Sequence, residues 1–533
     1  MRFDKSTAQT STTTHEGAKA FELTSHRRLL NAVVCSFLTK QYYKSSTDQM
    51  LEIGDAAREV AKREPEFVLQ VAAWARLKGN MRSAPILLFV IAANIPACKP
   101  FVRQYGPLVI RRADEIREVF ACQKEMFGKP IPNCIKKSLA DAFLRFTPYQ
   151  LDKYNQDTEY AFKHVLRMVR PSPVTTAQSA IFKFLVHGWD KLTPSERGSL
   201  PFIQAKRKFS ALPTFDFKNG TAELIKKYNL SWEDVISKFP TAWEYINFSY
   251  MAGLRNIRNL INKASKDKVR EVCDMVRDPE RVATGKQLPF RYYTAWKQLQ
   301  NDNVVGPGLG FVGDALEEAL EHSIHNLNLP GSTCVICDVS GSMSQKLSDR
   351  SIMNLKDIGL LFGSSLARLS KDNTMFVFGT QHRQVGVKPS VLLTTQEAER
   401  IDVQNGTVLA PVFEDMVKRR LKFDRVVLLS DMQVWGATFR FGWFSHSGGA
   451  DAGGSADAVR KAWQQYRNEV APEATLYSID MASYGNSQFP EGDGSVVQLA
   501  GWSDQVLKFI EMHESNEGSF MASVRGIRSG GDK

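Results

Sequence analysis

Long apolar runs, nucleotide-binding loops and an even set of cysteines are all missing from this chain, and each absence removes a class of protein. The longest apolar stretch, APILLFVIAANIPAC (84–98), is 15 residues long. A helix needs about 20 to cross a bilayer, so this stretch is expected as a buried helix and no membrane is expected as a partner. The opening MRFDKSTAQTSTTTHEGAKA lacks the apolar core of a secretory signal, and its Thr/Ser cluster reads as a disordered tail. Seven widely scattered cysteines do not form a disulfide framework; a reducing, cytoplasmic setting is expected. No GxxxxGK[ST] loop occurs, which argues against an ATPase, and no GxSxG or histidine pairing accompanies the serines of SGS. GLGFVG (308–313) fits GxGxxG, but no strand precedes it, so it reads as a loop before a helix capped by Asp314. Cys334 and Cys337 form a CxxC inside an apolar strand, where positions i and i+3 face opposite ways, so neither a shared metal nor a disulfide is expected there.

What is present is a globular composition, 43% hydrophobic and 24% charged over 533 residues, enough for two or three domains. The net charge of +12 is lopsided: residues 331–533 hold 21 Lys and Arg against 23 Asp and Glu, whereas the first 330 hold 48 against 34. A polyanion-binding region joined to a neutral one is the natural reading, with a merely soluble basic domain as its alternative.

The patterning changes at the same place. Residues 25–329 show apolar positions at three-to-four spacing broken by Pro and Gly, as in PNCIKKSLADAFLRF and DKVREVCDMVRD. Short helices in series suit stacked pairs of the HEAT kind. From 330 to 512 apolar strands alternate with amphipathic helices: TCVICDVS, then a helix with Leu355, Ile358, Phe362, Leu366 and Leu369 inward, then TMFVFGT, DRVVLLSD, ATLYSIDMA and SVVQLAG as strands. That order implies a doubly wound α/β domain on a parallel sheet. Residues 1–24 and 513–533 read as tails, and the Gly/Ser-rich 442–455 as an insertion.

In such sheets ligands bind beyond the carboxyl ends of the strands. Asp338 ends the first strand, Ser340 and Ser342 follow on the same side of an extended segment, Asp431 ends a later strand, and Thr407 sits in a Gly-containing loop before a helix. Five oxygen donors at one rim suit a hard divalent cation, Mg²⁺ first, with Mn²⁺ or Ca²⁺ as alternatives; helix capping is the competing reading of each residue singly. In the helical part, Lys136 and Lys137 open one amphipathic helix, and Lys153 stands between two others. Lys163, Arg167 and Arg170 share a face at i, i+4 and i+7, and Arg255 and Arg258 lie in an otherwise apolar helix. All are candidates to meet RNA phosphates; a solvated face is the alternative. Tyr292, Tyr293 and Trp296 either stack bases or belong to the core.

The DVSGSM motif, the loop threonine and the strand-closing aspartate resemble the metal-ion-dependent adhesion site of von Willebrand factor A-type domains. In that family an acidic side chain of a partner completes the ion's shell, and the domain docks without catalysing a reaction. LKGNMRSAPILL (77–88), YMAGLRNIRNL (250–260), LPFRYYTAW (288–296) and the order of helices then A-domain resemble the Ro autoantigen family, with its TROVE module, and bacterial Ro relatives most of all. The resemblance implies a multidomain, non-enzymatic protein: a HEAT-like helical ring followed by an A-like domain. Such a ring binds small noncoding Y-type RNA on its outer surface and 3′ single-stranded ends of misfolded RNA in its hole. The resemblance also implies a polynucleotide phosphorylase-like exoribonuclease as partner. Within it, KYNQ (153–156) is similar to an RNA-contacting segment: Lys153 matches a basic position, Asp157 replaces an arginine of vertebrate members, and Arg170 replaces a histidine. Two other functions compete: a cation-dependent protein-adhesion module scaffolded by the helices, and a metal-dependent nuclease or phosphatase using Asp338 and Asp431.

Overall fold

The computed structural model describes residues 11–13, 19–22, 24–34, 46–79, 81–214, 220–285, 289–301, 309–324, 329–346, 351–369, 372–433, 456–482, 486–490, 493–500, 510, 514 and 520–528. Two compact units emerge, and they do not follow chain order. One holds residues 57–281, 299–315 and 524–533; the other holds 1–56, 282–298 and 316–523.

The first unit is helical. Its elements start where the sequence supplies starts: Pro65, Pro148, Pro194 and Pro201 occupy first turns, where a missing N–H costs nothing. Thr147 and Thr193 close capping boxes with Gln150 and Glu196. The 84–98 run forms the helix Ser83–Asn94, whose residues Ala84–Ala93 are all buried, and among the described residues no single helix is long and apolar enough to cross a membrane. Buried Glu115 staples the loop ends: it takes Arg76 Nη2 at 2.7 Å and the backbone N–H of Arg111 and Arg112 at 2.7 and 2.9 Å. Residues 524–528 fasten onto the early helices. Arg525 pairs with Glu64 at 3.1 Å and lies over the Phe67 ring, Gln70 donates to the Arg525 carbonyl at 3.2 Å, and Tyr105 donates to the Ile527 carbonyl at 3.2 Å.

The second unit is built on sheets. Strands β1 (Ser11–Thr13) and β2 (Lys19–Glu22) pair antiparallel, where a disordered tail was expected. Strands β3 (Thr333–Asp338), β4 (Thr374–Phe378), β5 (His382–Val385), β6 (Arg425–Ser430), β7 (Thr475–Asp480), β8 (Asn486–Ser487) and β9 (Val496–Ala500) follow; β8 joins β2, and the rest form a six-stranded sheet in the order β5-β4-β3-β6-β7-β9. All its pairs are parallel except β4–β5, so the sheet is mixed, a hairpin having closed one edge. All six residues of β3 and of β6 are buried, the mark of strands covered on both faces. Cys334 packs with Phe413, Trp463 and Tyr466 on one face. Cys337 faces the other way, its thiol donating to the Gly359 carbonyl in helix Leu355–Leu369; burial pushes both thiols up.

Three local expectations change. Helix Leu309–Ile324 begins inside GLGFVG, which puts Asp314 within it rather than at its cap. Tyr292 and Tyr293 are fully buried, and Tyr293 donates to Glu399 at 2.6 Å, so these rings are core and not a stacking surface. Glu514, expected in a tail, forms a two-pronged pair with Arg425 at 2.6 and 2.7 Å. Arg425 is 2% exposed, and a guanidinium that deep demands a carboxylate. The 442–455 stretch lies outside the described residues.

Candidate metal centre and nucleic-acid interface

The chain runs from β3 to β4 on one side and returns to β6 on the other. The loops leaving β3 and β6 therefore diverge and open a crevice between the two strand ends. Asp338 is the last residue of β3, and Asp431 follows β6 directly. Asp338, Ser340, Ser342, Thr407 and Asp431 are all buried. The Asp338 carboxylate accepts the Ser340 N–H at 2.9 Å and the Ser430 hydroxyl at 2.6 Å, and the Ser340 and Ser342 hydroxyls lie 3.3 Å apart. The loop carrying Thr407 is stitched to the same rim. Gly341 donates to the Asn405 carbonyl at 3.0 Å, Gly406 to the Thr380 hydroxyl at 3.0 Å, and Val408 to the Gly379 carbonyl at 2.9 Å.

Burial dominates the electrostatics. It pushes the Asp338 carboxyl up, and it drives Asp431 up to about 8, with the Asp338 charge adding to the effect and the nearby Ser342 hydroxyl opposing it. Asp431 Oδ1 accepts the Gln433 N–H at 3.2 Å; its Oδ2 is buried with no hydrogen-bond partner among the described residues. Two repelling buried carboxyls, an orphaned oxygen and three hydroxyls are a donor set that a divalent cation satisfies. Asp338, Ser340, Ser342, Thr407 and Asp431 would hold it, and it would supply a positive centre able to take an acidic ligand. Sequence reading missed Ser430, which orients Asp338, and Asp480, which ends β7 and adds its charge to the load on Asp431. The repeated ending in CVICD, VVLLSD and LYSID was the available signal for Asp480. Asp480 acts on Asp431 through its charge.

The structure breaks one expected row of cationic candidates and brings one distant pair together. Lys137 is exposed and Lys136 half-buried on helix Asn133–Arg145. Helix Phe162–Val169 ends before Arg170, which takes a left-handed conformation (φ 46°) and donates to the Arg167 carbonyl. The expected i, i+4, i+7 row therefore loses its last member, and Lys163 is turned to Asp157 at 2.6 Å. Arg167 remains exposed beside them. Arg255 and Arg258 share the exposed face of helix Tyr250–Lys263. Lys153 and Arg255, distant in sequence, line one cleft.

With this geometry in view, the relatives can be placed. The TROVE domain profile matches residues 8–311. The telomerase protein component 1 of Rattus norvegicus is 29% identical over 306 residues, 46% of this chain; that of Mus musculus is 24% identical over 330 residues, 50% of this chain. The matched region spans only 12% of each of those rodent proteins. Among solved structures, the Ro (RSR) protein of Deinococcus radiodurans superposes over 94% of this chain and 100% of its own, with a TM-score of 0.63 at 18% identity. A match across more than half of the sequence settles the relationship: the chain belongs to the TROVE family, and its helices and mixed sheet have the fold of a Ro protein.

Proposed function

We propose that the helical unit binds RNA and that the α/β unit docks a partner through a divalent cation, neither unit being an enzyme. The observation that carries the RNA reading is the set of cations left without carboxylates. Arg76, Arg82, Arg103, Lys124 and Lys183 of the helical unit are all ion-paired, whereas no such pair holds Lys137, Lys153, Arg167 or Arg255 among the described residues. Exposed cations with nothing to neutralise them are the groups that phosphates recruit. The RNAs are small structured noncoding RNA of the Y type, held on the outer surface, and single-stranded 3′ ends of misfolded RNA, taken into the ring interior that the Ro resemblance implies. The protein then serves RNA quality control in the cytoplasm beside a polynucleotide phosphorylase-like exoribonuclease. At the cation site an acidic side chain of a partner fills the open position. Mg²⁺ suits five hard oxygens, and docking is favoured over hydrolysis because a hydrolase site adds a second ion or a positioned base, for which no group of three His, Cys, Asp or Glu side chains gathers among the described residues.

A salt titration of labelled RNA with a single-stranded 3′ end tests the first part. Affinity falls steeply with salt, and Lys137→Glu with Arg167→Glu weakens binding while the melting curve stays put. Binding that is flat in salt, or indifferent to both reversals, overturns it. Asp338→Ala separates the readings: RNA affinity is retained while Mg²⁺-dependent docking is lost. Adhesion without any RNA affinity would leave the helices as scaffold only.

A further inference from the structure

A cleft in the helical unit has two chambers, lined by residues far apart in the chain. One, of about 330 Å³, includes Asp152, Lys206, Asp234 and the ring of Tyr228 in its lining. The other, of about 340 Å³, takes in Arg255, Trp232 and Phe248. They share Tyr149, Lys153, Tyr154, Asn229, Leu230, Ser231 and the exposed Glu233, so each opens onto the same wall. The wall is stiffened from several directions. Tyr149 donates to the Asn229 carbonyl at 3.3 Å and meets Phe202 edge-on, and Arg112, itself held by Asp114, donates to the Tyr154 hydroxyl at 3.0 Å. Behind the second chamber Trp232, Trp243 and Phe248 stack in series, with Trp232 half-exposed at the end.

The two chambers differ in chemistry. In the first, the Asp152 side chain is only 11% exposed and sits 3.7 Å from Lys206, which also reaches Asp234 at 3.4 Å. Four carboxylate oxygens thus share one lysine and the Ser231 hydroxyl, which donates to Asp234 Oδ2 at 2.9 Å. At the mouth of the second, Lys153 and Arg255 are exposed and carry no ion pair among the described residues. A ligand with amine N–H donors at one end, a flat ring in the middle and an anion at the other satisfies all three features.

We propose that this cleft takes one unpaired nucleotide bearing an amine-carrying base, guanine above all, with its Watson–Crick edge against Asp152 and Asp234, its ring on the tyrosine wall and its phosphate at Lys153 and Arg255. Guanine offers two adjacent N–H donors, which a carboxylate accepts in parallel, whereas uracil offers a single N–H flanked by two carbonyls that the carboxylate repels. Aromatic side chains supply stacking that is blind to base identity, so the carboxylates alone confer the choice. The inference rests on the RNA-binding reading and adds base selectivity to it.

Fluorescence anisotropy on the full chain, comparing a labelled octauridine with the same strand carrying one central guanosine, tests it. The guanosine strand binds about tenfold more tightly, one good two-pronged contact's worth. Asp152→Asn removes that preference and leaves octauridine affinity within about twofold; should that variant fail to melt as the parent does, Asp234→Asn, nearer the surface, takes its place. Guanosine monophosphate and uridine monophosphate as competitors distinguish the source. Displacement by the former alone shows that free nucleotides enter as well, and preference confined to the strand shows that only RNA does. Equal affinity for both strands, or a preference that survives both variants, overturns the proposal while RNA binding stands. Failure of both strands to bind overturns it together with the RNA reading.

Discussion

Replacing Asp431 by asparagine should make the cation-free protein more stable, although it removes a charged residue from a folded core. The structure provides the sign. Burial and the neighbouring Asp338 charge lift the folded Asp431 to about 8, against an ordinary 3.8. A carboxyl raised in the folded state binds its proton more tightly there than in the unfolded chain. Its contribution to stability is therefore complete below about pH 4 and is lost progressively as the pH rises towards 8. At pH 7 roughly three pH units separate the solution from the unfolded value, which is on the order of 4 kcal/mol of protonation or desolvation work. Asparagine avoids that work, and because the raised carboxyl is still largely protonated at pH 7, its contact from the Gln433 N–H is a neutral one that the amide oxygen keeps, so the net gain is roughly 2–4 kcal/mol. Denaturant unfolding in chelator from pH 5 to 8, followed on the α/β unit's own transition, checks it. The parent loses stability across that window and Asp431→Asn loses less of it, Asp338 being the raised carboxyl that remains. Saturating Mg²⁺ raises the parent at pH 8, because the cation takes over the neutralising role of the proton, and leaves the variant unmoved. A parent whose stability rises from pH 5 to 8 without metal, or a variant weaker than the parent at pH 8 in chelator, refutes the reasoning.

Two other substitutions probe the scaffolds. Glu115→Gln leaves the largely buried Arg76, its side chain 14% exposed, beside a neutral amide and weakens both backbone contacts; a loss of about 3–5 kcal/mol from the helical unit, read by thermal or urea unfolding, is expected. At Gly379 an added Cβ would lie 2.1 Å from the Gln404 carbonyl oxygen and 2.7 Å from that of Val403. Gly379→Ala must push the Thr407 loop outward, costing about 1–3 kcal/mol and weakening Mg²⁺ affinity in calorimetry more than it lowers stability.

The legible parts of this molecule were those written in short range. The change from helical to strand patterning near 330 and the apolar strands ending in aspartate follow directly from local chemistry. The oxygen donors stood at recognisable junctions, so their arrival at one rim was implied by the parallel order of the strands. Ser430 was not legible, because it reads as the last residue of a strand until β3 is laid beside it. The cationic row on helix Phe162–Val169 misled because periodicity cannot show that a helix stops one residue early or that Asp157 folds back onto Lys163. Tyr292 and Tyr293 were open to two readings in the sequence, and burial decided between them. Arg425 and Glu514, 89 positions apart, had no local signature at all.

The fastening of residues 524–528 to the early helices has a consequence for biosynthesis. Glu64 and Arg525 are separated by 461 positions. At about 5–20 residues per second, a ribosome takes on the order of half a minute to a minute and a half to deliver the second after the first. Through that interval Glu64 and Gln70 wait for the contacts that Arg525 and Ile527 bring, so the helical unit is completed only after residue 527 has been made.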